Sequence, residues 1–101
     1  MDAKLEEAIV NELRTIYDPD IPVNIYDLGL VYNLKEKYGV LEVEMTLTSP
    51  GCPLADQIVD EVKTRLELIP QIKEVIVNLV WDPEWSQDMM SEEAKLDLGF
   101  L

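Results

Sequence analysis

The segment Met45–Ile58, MTLTSPGCPLADQI, joins two periodicities, and its reading decides the fold. Running into it, Leu41, Val43, Met45 and Leu47 alternate with Glu42, Glu44, Thr46 and Thr48, the two-residue period of a strand with one buried face. Beyond it, Leu54, Ala55, Ile58, Val59, Val62, Leu66 and Ile69 recur at steps of three and four, which predicts a helix with an apolar stripe. Pro50-Gly51-Cys52-Pro53 is the turn between them. Pro53 suits a first helical position, because its fixed φ is preset for a helix and its missing N–H has no intrahelical partner there. Cys52 is therefore expected at or beside the helix N-cap, where unpaired N–H groups and the positive end of the helix dipole favour thiolate.

Working outward, Asp2 is expected to cap a first helix reaching about Tyr17, with Leu5, Ala8, Ile9, Leu13 and Ile16 on its inner face. Asp18-Pro19-Asp20-Ile21-Pro22-Val23 ends it in a stiff, extended loop, since residues before proline avoid the α region. Asn24–Gly29 turns into a strand over Leu30–Lys35, and Lys37-Tyr38-Gly39 closes a hairpin with the strand that ends at Thr48. After Pro70, Lys73–Trp81 reads as a third strand, with Val75, Val77 and Leu79 on one face and Ile76 and Val80 on the other. Cover for both faces is expected, either from a second subunit or from the C-terminal stretch. That stretch places Trp81, Trp85, Met89, Met90 and Phe100 around a short helix that begins near Ser91 and stops at Gly99. The order α-β-β-α-β-α implies an α/β (α+β) two-layer sandwich. Helices lie on one face of a three-stranded mixed sheet of order 1-2-3, its last strand parallel to the middle one, and residues 1–101 form one domain.

Eight basic against twenty-one acidic residues give a net charge of −13, which argues against phosphate backbones and anionic membrane surfaces as partners. The acidic, amphipathic start MDAKLEEAIV is unlike a secretory signal, and a cytoplasmic location is expected. The chain contains no histidine, so triad catalysis and the commonest metal ligand are absent. It contains one cysteine, so no internal disulfide forms and the thiol is either packed or reactive. Asp18 and Asp20 form a paired-carboxylate candidate against a plain loop-forming role. Thr46 and Thr48 share a sheet face, as exposed β-formers or as polar liners of a site leading through Ser49 and Gly51 to Cys52.

Four segments together, DPDIPVNIYDLGLVY (Asp18–Tyr32), MTLTSPGCPLADQI, VNLVWDPEWSQDMM (Val77–Met90) and SEEAKLDLGF (Ser91–Phe100), make the chain resemble the iron-sulfur cluster assembly domain family. This family includes SufT, PaaD-type proteins and the eukaryotic cytosolic iron-sulfur assembly factors. The resemblance implies an α/β fold and a non-enzymatic role in maturing or repairing iron-sulfur proteins. It places the family's motif cysteine on Cys52, its Asp-Pro-acid motif on Asp18–Asp20, and its threonine-rich strand end on Thr46–Ser49. Asp20 stands where glutamate is frequent and Ser49 where threonine is frequent, both chemically mild changes. With a single cysteine the chain has neither the C-x-x-C pair of NifU-type scaffolds nor the cysteine-rich segment of PaaD-type members.

A cluster ordinarily takes four thiolates, so one chain does not hold it stably. The expectation is transient binding of iron, a cluster or persulfide at Cys52, with iron-sulfur client and assembly proteins as partners and a homodimer as one source of further ligands. Two competitors stand beside it: a thiol-based redox protein using Cys52 as nucleophile, and an acidic protein-interaction module.

Overall fold

The alternating stretch forms the central strand of the sheet in the computed structural model, which describes residues 2–18, 21–48 and 55–99. Strand β1 (Val31–Lys37) pairs antiparallel with β2 (Val40–Met45), and β3 (Glu74–Leu79) pairs parallel with β2, giving the order β1-β2-β3. Tyr38 and Gly39, at φ 55 and 85, close the hairpin with both residues left-handed, the mirror-image turn whose twist matches paired strands. The Gly39 carbonyl then accepts from Lys73 N–H at 2.7 Å, so the hairpin tip also fixes where β3 starts.

Helices α1 (Ala3–Leu13) and α2 (Ala55–Glu67) bury their apolar stripes against one sheet face. Leu5, Ile9 and Leu13 from α1 meet Ile58, Val62 and Leu66 from α2, over Leu41, Val43 and Met45 of β2 and Val75 of β3. The short α3 (Glu92–Asp97) is capped by Ser91, whose hydroxyl accepts from Ala94 N–H at 3.1 Å, and it sends Ala94 into the same core. Among the described residues no helix is long and apolar enough to cross a membrane.

Several boundaries differ from expectation. Helix α1 stops at Leu13, not near Tyr17; Thr15 and Ile16 instead make tight bonds to the carbonyls of Glu12 and Leu13, and the Thr15 hydroxyl also bonds Glu12 O at 2.6 Å. A side chain that competes for helix carbonyls loosens the last turn while the apolar period runs on to Ile16. The loop after it is closed rather than extended, with a bridge between Tyr17 and Asn24 and a bond from Ile25 N–H to Ile16 O at 2.8 Å. Strand β1 is displaced from Leu30–Lys35 to Val31–Lys37, and β2 ends at Met45, not Thr48.

The outer sheet face is open. Lys35, Glu42 and Ile76 form one cross-strand row on it, and Asn33, Glu44 and Asn78 another. All six are exposed, so the expected cover over Ile76 is missing and the residue stands 38% exposed among charges.

Candidate functional site

Past Met45 the chain continues between its neighbours. Thr46 N–H donates to Leu30 O at 2.8 Å and Val80 N–H to Met45 O at 2.8 Å, so the strand end is held from both sides. Leu47 turns into the core, while Thr46, of outward parity, is nonetheless only 1% exposed. It is no plain exposed β-former. What covers it comes from the residues that follow β3.

That C-terminal strap is pinned at four points. The Tyr32 hydroxyl donates to Pro83 O at 2.8 Å and lies 3.5 Å from the Met89 sulfur. The Trp85 indole N–H donates to Leu28 O at 2.6 Å. Ser91 N–H donates to Asp27 O at 2.8 Å. The fourth point is a close approach: a Cβ on Gly29 (φ +81) would stand 2.3 Å from Met89 O. Met90 is buried and Trp85 half-buried against the core, the lid role expected of them.

Between strand end and strap lies a cavity of about 150 Å³ lined by Thr46, Leu47, Thr48, Trp81, Glu84 and Trp85. Thr46 and Thr48 are thus brought together as polar liners of one site. Tyr32 sits behind it at the irregularity in β1, where the register shifts between Val31 and Asn33. Burial raises the Tyr32 phenol above the ordinary tyrosine value, and the nearby Thr46 hydroxyl offsets part of that rise. The Thr46 hydroxyl itself has no hydrogen-bond partner of good geometry among the described residues.

Asp18 is 4% exposed and works within its own loop: its Oδ1 accepts from Ile21 N–H at 3.0 Å, and its N–H donates to Val23 O at 3.3 Å. It does not line the cavity. Cys52, Gly51, Ser49 and Asp20 lie outside the described residues. Among the described residues no group of three His, Cys, Asp or Glu side chains converges as a metal site.

Sequence reasoning missed Tyr32, Trp81 and Glu84 as parts of this site. The aromatic residues of VWDPEW signalled only a core lid, and the strand irregularity that places Tyr32 depends on pairing register, which no local pattern carries.

Comparison with known proteins agrees with this architecture. Residues 6–79 match the family described as "Iron-sulfur cluster assembly protein". A Porphyromonas gingivalis protein named an Fe-S protein maturation auxiliary factor is 55% identical over 97 residues, covering 95% of this chain and 92% of that one. The Bacillus subtilis Fe-S protein maturation auxiliary factor YitW is 46% identical over 100 residues, covering 98% of each. Among solved structures, the Bacillus anthracis domain of unknown function DUF59 superposes with a TM-score of 0.89 at 40% identity, over 97% of this chain and 94% of that one.

Proposed function

Because the chain belongs to the iron-sulfur cluster assembly family, we propose that it is a maturation factor for iron-sulfur proteins. It works as a single domain over residues 1–101 in the cytoplasm, taking up iron, cluster or persulfide transiently and delivering it to client proteins without catalysing a reaction of its own. The observation that carries this reading is the cavity lined by Thr46 and Thr48, after which the chain reaches its only thiol within four residues, at Cys52.

In this reading Cys52 is the ligand, and Asp18, Asp20, Thr46, Thr48, Ser49 and Gly51 shape its surroundings. The cargo is a substrate rather than a resident cofactor. One thiolate is a quarter of what a cluster ordinarily takes, and the described residues offer no converging set of acidic or sulfur ligands. The remaining ligands come from the client, an assembly protein or a second copy of the chain, and a net charge of −13 suits protein partners better than nucleic acid or membrane.

The test is anaerobic reconstitution with iron and sulfide, on the native chain and on Cys52→Ser, followed by iron counting, absorption spectroscopy and a client-maturation assay. Serine is a strong N-cap, so the variant's stability should change by no more than about 1 kcal/mol. Its thiolate-to-iron bands and its support of maturation should disappear, since a hydroxyl is a far poorer ligand for iron. A stable variant that still matures clients removes Cys52 from the mechanism.

A further inference from the structure

We propose that the cavity at the end of β2 receives the guanidinium group of an arginine side chain from a partner protein. This deepens the maturation reading, on which it rests for what the partner is, by naming the chemistry of recognition. Four liners supply what a planar cation needs. Trp81 offers an indole 42% exposed at the mouth, and indole is the best ring for attracting a cation to its face. Trp85 offers a second indole, immobilised because its N–H is already committed to Leu28 O at 2.6 Å. Glu84 is an exposed carboxylate with no ion-pair partner among the described residues, the natural counter-charge for a forked donor. Thr48 adds a half-buried hydroxyl.

Size agrees with this chemistry. The cavity measures about 150 Å³, the volume that in an engineered protein interior takes up benzene, and a guanidinium is a smaller plane. Arginine fits better than lysine, because it is more weakly hydrated, stacks on aromatic faces and bonds carboxylates in a bidentate way. The net charge of −13 steers any such cation toward the surface, but only this cavity combines the carboxylate with two indoles.

Both tryptophans of the chain line this cavity, so intrinsic fluorescence reports on it alone. The probe is acetyl-arginine-amide, titrated into the iron-free protein beside acetyl-citrulline-amide, its neutral isostere. The expected result is a saturable change with arginine and binding of citrulline at least about tenfold weaker, the effect of losing charge-assisted hydrogen bonds. Glu84→Gln should weaken arginine binding by a similar factor, whereas Glu74→Gln, which removes the same charge from the open sheet face, should leave it unchanged. Equal response to citrulline, absence of saturation, or equal effects of the two glutamine variants would overturn the assignment in favour of diffuse acidic attraction or none. Saturation by ferrous ion that displaces the arginine probe would overturn it in favour of a metal site. Since no iron chemistry enters the titration, its failure leaves the Cys52 reading standing, and loss of the Cys52 reading leaves the titration interpretable.

Discussion

The Tyr32 hydroxyl donates to the carbonyl oxygen of Pro83 at 2.8 Å, tying the irregular position in β1 to a residue 51 positions later in the chain. This bond and the one from Trp85 to Leu28 hold the strap against the strand end, so the walls of the cavity depend on side chains outside it.

Tyr32→Phe keeps the ring and removes this bond. The exposed Pro83 carbonyl can turn to water, so the loss should be about 1 kcal/mol, read as a lower denaturation midpoint at unchanged slope. Hydrogen exchange should quicken for amides of the strap and not for those of α2, whose bonds Tyr32 does not touch.

The same variant isolates a pH effect. Burial holds the Tyr32 phenol in its neutral form, so the folded chain keeps a proton that the unfolded chain has already lost. The contribution to stability is therefore constant below the ordinary tyrosine value of about 10 and is lost as pH rises from there through the folded value. Stability measured against pH should fall less steeply above that point in Tyr32→Phe than in the native chain; parallel curves would reject the shift.

Gly29→Ala should be among the most damaging single changes. At φ +81 an alanine is strained by about 1–2 kcal/mol, and its Cβ would stand 2.3 Å from the Met89 carbonyl oxygen, a backbone atom that cannot swing aside. The strap must move, and a total loss above about 2 kcal/mol is expected. The readout beyond stability is faster exchange of the Ser91 amide, which bonds Asp27 O across the same contact.

Leu66 and Leu68 are two residues apart in sequence, yet Leu66 is fully buried between α2 and the core while Leu68 is 67% exposed. Leu66→Ala should cost about 2–5 kcal/mol through lost transfer energy and a residual cavity, whereas Leu68→Ala should stay within about 0.5 kcal/mol. Similar losses in both would mean that the apolar stripe of α2 is rotated from the position described.

That stripe was legible because burial in a helix repeats with a local period, as was β2, whose alternating glutamates sort its faces. Sheet order followed from the short hairpin and the single crossover helix. The end of α1 was not legible: Ile16 keeps the apolar period although the backbone has already tightened around Thr15. Exposure of Ile76 and burial of Thr46 were misjudged for one reason. Each depends on where the strap lies, and the strap is placed by contacts such as Trp85 with Leu28, 57 residues apart, that no local pattern encodes.

Strand β2 is hydrogen-bonded to a neighbour on each side, and the double ladder continues to Met45 and Thr46. An edge strand can peel away bond by bond, but a strand in this position leaves only if two ladders open together. Force that a docking partner applies at Thr48 is therefore passed to the whole sheet at once. The domain behaves there as a fixed post, and partners can be exchanged at its tip at no cost to the packing beneath.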